Sequence, residues 1–422
     1  MKPFSMSKKT VYTVIITLFL LIILSLKVEN QSVKAEPDSL TVPDNYSKIQ
    51  EAINAANPGD TIYVRNETYY EHLNVNKPLT LVGESKESTI IDGSGENRTI
   101  IEITASNVVI TGFTIQNSRS GGTLVAGVKV TRRACNITNN YVTRNKIGIF
   151  VTSQKSRIAK NVVTNNGQGI ALHSSSEVTV EANNVSANTV GISLALSFNN
   201  MIIDNRAMNS STGGHGITLS SNSFNNTIRA NELMNNYHGM WLSSSSNNSI
   251  LEDTIANNKL LGIELANSPD NTFYHNNFIN NGLPPHAPSI KHVTIDSKSE
   301  SIWDDGYPSG GNYWHDYTDV DEKSAPNQGQ AGSDGIWDKS YVINENNTDR
   351  YPSVRPYGDV SHIIPGDARA GDASPLSDFS SLWINMLAGV IVIVMVVALS
   401  WKRSTRNKRK KKLRKIRSHK HH

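Results

Sequence analysis

The sequence predicts an all-β fold, a right-handed single-stranded parallel β-helix whose chain makes one coil every 21–25 residues. Three observations predict it. First, glycines recur at Gly127, Gly148, Gly169, Gly191, Gly216, Gly239 and Gly262, at intervals of 21, 21, 22, 25, 23 and 23. Second, apolar residues follow each glycine at the first and third places, from Val128/Val130 through Ile170/Leu172 to Ile263/Leu265. Alternation over so few residues, mostly β-branched, is a strand signal. Third, two more apolar columns keep the same register. One runs Ile137, Ile158, Val180, Ile202, Ile228, Ile250, Phe273, and the other Val142, Val163, Val185, Ala207, Leu233, Ile255, Phe278. Three short strands per repeat, each turning an apolar side chain inward, make one coil. The Leu-x-x-Leu-x-Leu frame of a leucine-rich repeat is absent, and so is helix-period spacing.

Polar residues mark the corners. Three places after the second column stand Asn140, Asn161, Asn183, Asn205, Asn231, Asp253 and Asn276. Asn tolerates a left-handed backbone and bonds its own turn. Stacked on coils ~4.8 Å apart, such amides can also bond one another along the rod. The recurring glycine is expected to supply a positive φ at the next corner. Asp253, standing in an Asn position, is expected to be structural.

The elements follow in chain order. In residues 1–35, Lys2, Lys8 and Lys9 precede an apolar run from Val11 to Leu26, and Val33-Lys34-Ala35 suits signal peptidase. This is a secretory signal. Residues 36–98 hold the N-terminal cap and first coils. There, Ser47 is expected to N-cap a short helix with Ile49, Ala52 and Ile53 as its apolar face. Asn57-Pro58-Gly59-Asp60 ends that helix before a strand, Thr61–Val64. Regular coils occupy 99–283, until Pro284, Pro285 and Pro288 break the repeat. Residues 284–358, acidic and aromatic, form a second cap, and 359–381 a Pro/Gly/Asp/Ser-rich linker. Leu382–Trp401 is uncharged for 20 residues with Trp383 and Trp401 at its ends, enough to cross a core of ~30 Å. The tail, 402–422, is rich in Lys and Arg without an acid, so it is expected to stay cytoplasmic and to meet anionic lipid heads. The expectation is a single-pass cell-membrane protein with its ectodomain outside.

The net charge of +4 comes from that tail; the body between the signal and the tail is net acidic, which excludes nucleic acid as a partner. Cys135 is the single cysteine, so no intrachain disulfide stabilises the exported domain. Nine Asn-x-Ser/Thr sequons from Asn45 to Asn346 are potential glycosylation sites.

The "IQEAINAANPGDTIYV" segment followed by Asn/Gly-punctuated coils resembles the NosD-like, carbohydrate-binding-and-sugar-hydrolysis (CASH) group of right-handed β-helix proteins. "GYPSGGNYWHDYTDVDE", "DGIWDKSYVI" and "NNTDRYPSVRPY" look like a terminal block of archaeal surface members. The resemblance covers Val42 to Tyr357. It implies the fold and an exported location. For activity it offers copper handling, pectate-lyase-like chemistry or surface roles, and a fold so widely shared does not choose among them.

Three residue sets are candidates for chemistry. Between Gly127 and Gly282 the acids are Glu177, Glu181, Asp204, Glu232, Glu252, Asp253, Glu264 and Asp270. Glu264 stands between two inward positions and therefore points outward, beside Trp241 one coil earlier. An indole face and a carboxylate suit a sugar, the ring stacking and the acid accepting hydroxyls. A glycosidase would need a second acid. His215 and His238 precede corner glycines on successive coils, with Met234, Tyr237 and Met240 near in sequence, a donor set that suits copper. In the terminal block, Asp316, Asp319, Asp321, Asp334 and Asp338 are oxygen ligands of the kind Ca²⁺ takes, without EF-hand spacing. Trp303, Tyr307, Tyr313, Trp314, Tyr317 and Trp337 lie in the same stretch and either pack the cap or line a glycan surface. The functions weighed are non-catalytic recognition of glycans or envelope partners, a polysaccharide lyase or hydrolase, and a copper-handling accessory protein.

Overall fold

A computed structural model of the chain describes residues 40–118, 124–282 and 292–364. The described residues up to Gly358 belong to one compact unit. In it the chain winds as a parallel β-solenoid of the right-handed type, with three sheets of eleven, ten and eleven strands. Every column predicted from spacing is a row of register partners. In the glycine-led sheet, Ile149, Ile170, Ile192, Ile217, Met240 and Ile263 pair in succession. The Ile137-to-Phe273 and Val142-to-Phe278 columns pair likewise. Their side chains are buried in one continuous core, so each coil rests its apolar residues on those above and below.

The corners work differently from the sequence expectation. None of the seven repeating glycines takes a positive φ. Their reason is steric: a Cβ on Gly169 would lie 2.5 Å from the Gly191 carbonyl oxygen and 3.0 Å from the Asn188 amide nitrogen. Nor are the corner asparagines left-handed. The residue before each one is, from Asn139 (φ 53°) and Lys160 (56°) to Glu252 (58°) and His275 (57°). The asparagines serve the ladder instead. Backbone N–H groups of Asn140, Asn161 and Asn183 donate to the side-chain oxygens of Asn161, Asn183 and Asn205, at 2.9–3.0 Å. Two further ladders run along other corners. One links Asn145, Asn166 and Asn188, and past Ser210 it resumes through Asn236, Asn258 and Asn281. The other combines Asn200, Asn226, Asn248 and Asn271 with a serine row from Ser175 to Ser299. These bonds satisfy buried corner amides that the strands leave unpaired.

The helix, α1 (Ile49–Ala55), buries Ile49, Ala52 and Ile53 as expected. Its cap is a correction. Ser47 bonds Glu51, and no side chain caps from the N-cap position, Lys48. Glu71 does so from the next coil, accepting from the Ile49 and Gln50 amides at 2.9 and 3.0 Å. Lys77 donates to the carbonyls of Asn54 and Ala56 at the other end.

At the far end of the coils, Trp303 stacks on Phe273 and Trp314 on Phe278, each at 4.3 Å between ring centres. Both indoles are buried and extend two inward columns. Their N–H groups donate to Asn347 and Asp349. Burial pushes the Asp349 carboxyl up to about 7, against bonds from Asn312, Trp314 and Tyr351 that favour its charged form. Gly311 passes so close that a Cβ there would sit 1.8 Å from Asp349 Oδ1. The expected signal, apolar span and basic tail lie outside the described residues; among those described, no helix is long and apolar enough to cross a membrane.

Candidate functional site

The outer surface of the glycine-led sheet gathers the residues that sequence spacing had left as separate candidates. Strands His215–Ser220, His238–Ser243 and Leu261–Ala266 turn Ile217/Leu219, Met240/Leu242 and Ile263/Leu265 into the core. The alternate residues must face outward. Along the rod they form one row, Ser193, Thr218, Trp241, Glu264 and Thr294, in direct register. Beside it runs Val190, His215, His238 and Leu261.

The two rows touch. His215 stacks on Trp241, with ring centres 5.3 Å apart and planes 22° from parallel. His238 lies 4.9 Å from His215 and 5.1 Å from Tyr237. Its Nδ1 stands 3.8 Å from Glu264 Oε2, too long for a hydrogen bond. Neither ring nitrogen of His238 has a hydrogen-bond partner among the described residues. Burial, with the neighbouring His238, pushes His215 down to about 4. Burial lowers His238 as well, against the pull of Glu264. Both imidazoles are therefore neutral at pH 7. The surface presents a half-buried indole, one carboxylate, two uncharged imidazoles and a margin of hydroxyls.

Five other acids on the coils are engaged elsewhere, while Asp204 and Asp270 stand exposed. Glu177, Glu181, Glu232 and Glu252 pair with Lys155, Arg157, Arg206 and Arg229 across neighbouring coils. Asp253 is fully buried within the asparagine ladder, as expected of a structural residue. The five terminal aspartates are employed one by one. Asp316 meets His292 at 3.1 Å; burial would raise its carboxyl, but the His292 bond holds it below the usual range. Asp319 pairs with Lys339 at 2.9 Å. Asp321 accepts from Ser333, Asp334 and Gly335, and Asp338 from Glu322 and Lys323. Asp334 accepts from Ile336 and Gln328. Of the terminal aromatics, Trp303 and Trp314 are core, while Tyr307, Tyr313, Tyr317 and Trp337 are half-buried.

Residues 53–319 match the family model described as periplasmic copper-binding protein (NosD). The match takes in more than half of the chain. This chain belongs to the NosD family. A "Cell surface glycoprotein" of Methanothermus fervidus is 34% identical over 128 residues, 30% of this NosD-family chain and 20% of that relative. The match thus spans about a fifth of that relative's length. Solved structures are also similar. The enzymatically active domain of bacteriophage CBA120 tailspike protein 2 aligns with a TM-score of 0.50 at 15% identity, over 64% of this chain and 47% of that one. The Azotobacter vinelandii mannuronan C-5 epimerase AlgE4 A-module aligns at 0.45 and 16%, over 63% and 88%.

The family description makes copper the ligand to test against these residues. His215 and His238 supply two neutral imidazoles of the right chemistry. Met240, however, turns its thioether into the core with no exposure. Among the described residues no three His, Cys, Asp or Glu side chains gather closely enough to hold a metal ion. The described residues of this NosD-family protein therefore fall short of a complete copper site.

Proposed function

We propose that the protein is an exported, membrane-anchored surface protein that recognises glycans without cleaving them. The observation that carries this reading is the convergence of Trp241, Glu264, His215 and His238 on one outer face. An indole offers a flat apolar surface for the C–H face of a sugar, and the carboxylate and neighbouring hydroxyls offer hydrogen bonds around it. Glycoside hydrolysis requires a second carboxyl group across the bond, and Glu264 is alone among the residues of these strands. The family match and the cell-surface relative support an outside location. The N-terminal signal and the C-terminal apolar span read from the sequence support export and anchoring. On the same reading α1 and the terminal block close the two ends of the solenoid, shielding strand edges from other chains.

The full-length chain is screened against a glycan array and its hits measured by calorimetry. Trp241→Ala is expected to weaken sugar binding roughly tenfold, as for an aromatic anchor, with an unchanged far-ultraviolet circular-dichroism spectrum. Binding that survives this substitution would move the site elsewhere. Release of new sugar ends, abolished by Glu264→Gln, would replace recognition with catalysis. The paired imidazoles favour copper as the second reading. It predicts titratable copper binding that His215→Ala/His238→Ala removes.

A further inference from the structure

We infer that the face around Trp241 selects neutral or amine-bearing sugars and refuses acidic ones such as uronates. This deepens the proposed glycan reading and rests on it. The charge distribution of the sheet is the reason. Across six successive strands, 168–173, 190–195, 215–220, 238–243, 261–266 and 293–295, Glu264 is the one residue with a formal charge at neutral pH. The other outward residues are Ser, Thr, Ala, Gln, Val, Leu and Trp, together with imidazoles. His238, the imidazole nearest Glu264, does not balance it, because burial disfavours its cationic form.

No Lys or Arg on these strands offers the fork or ammonium with which a carboxylate is usually recognised. Three cations of the neighbouring surface are paired with carboxylates. Lys129, on the same outer row, bonds Glu102 at 3.0 Å, and Arg206 and Arg229 bond Glu232 and Glu252 on another sheet. Lys259 stands exposed at the corner before Leu261, off the strand rows. A carboxylate stacked on Trp241 would thus meet a like charge with no cation on these strands to offset it. A sugar hydroxyl, acetamide or ammonium would meet an acceptor.

The test uses the full-length chain and three pentasaccharide probes of similar size: N-acetylated chitopentaose, its de-N-acetylated counterpart and pentagalacturonate. Calorimetry at pH 7 is expected to give binding of the first two at least about fivefold tighter than that of the third, the scale of one partly exposed charge pair. Glu264→Gln is expected to bring the three within about twofold of one another. Galacturonate bound as tightly as the neutral probe, and lost in Trp241→Ala, would overturn the selectivity while leaving glycan recognition standing. A preference unchanged in Glu264→Gln would overturn the role given to that carboxylate. No binding of any probe would overturn both this inference and the reading beneath it.

Discussion

Asp253 shows how much one atom matters inside a ladder. Its Oδ1 accepts from the Asn231 amide at 2.6 Å and from the Asn231 side chain at 2.9 Å, as an asparagine oxygen would. Its Oδ2 stands where neighbouring asparagines carry an NH₂ that donates to a backbone carbonyl, and it has no partner among the described residues. Burial pushes its carboxyl from 3.8 to about 7. The protonated form is thus favoured in the folded state. Its stability contribution is complete below pH 3.8, falls as the unfolded chain ionises, and is lost once pH passes about 7. Asp349, raised in the same way, adds to that slope. Asp253→Asn is expected to raise stability at pH 8 by about 1–3 kcal/mol, the cost of one unsatisfied buried group, and to do little at pH 4. Urea midpoints at the two pH values check it. An equal shift at both would contradict the protonation account.

At the scale of an element, α1 is too short to persist alone and depends on its neighbours at both termini. Glu71 from the following coil bonds its first amides, and Lys77 its last carbonyls. Glu71→Ala is expected to cost about 0.5–2 kcal/mol, the range for a lost N-cap, whereas Ser47→Ala should be close to neutral. Urea denaturation of both variants makes the comparison. The reversed order would restore Ser47 as the cap. The ladders behave alike: each side chain serves a backbone group one coil away, so a strand, its corner and the next coil are stabilised together.

The whole molecule is periodic, and periodicity determines which changes it tolerates. Each coil pairs with its two neighbours, and contacts beyond them are few. Removing Gly169–Val190, one 22-residue coil, would bring the Gly148 coil against the Gly191 coil with glycine, apolar columns and asparagines all in register. This deletion is expected to leave a folded β-rich protein with a modestly lower melting temperature. Removing half as many residues from the same place would misalign every column beyond the cut and is expected to abolish cooperative unfolding. Circular dichroism with thermal melts distinguishes the outcomes. Equal damage from both deletions would mean that stacking is not what stabilises the rod. The deletion also separates the functional face from the scaffold, since Trp241 and Glu264 lie two or more coils away.

The sequence by itself determined the coil. Inward columns, strand positions, the helix face and the outward direction of Trp241 and Glu264 all follow from spacing, because backbone pairing between coils requires a constant count even as the letters drift. The ladder at Asn140 to Asn276 was legible for the same reason. The rows through Asn145 and Asn200 obey similar offsets and were open to the same counting. Only the tertiary structure decided what no single-chain offset encodes. It placed Glu71 over the start of α1, and it moved the left-handed residue one place before each asparagine. It gave the repeating glycines a steric duty against the next coil's carbonyl. It also brought His215 onto Trp241 and His238 toward Glu264, joining two candidate sites, and sent the terminal aspartates to separate partners. These outcomes depend on where side chains lean across coils, a matter of distance in space between residues that lie far apart along the chain.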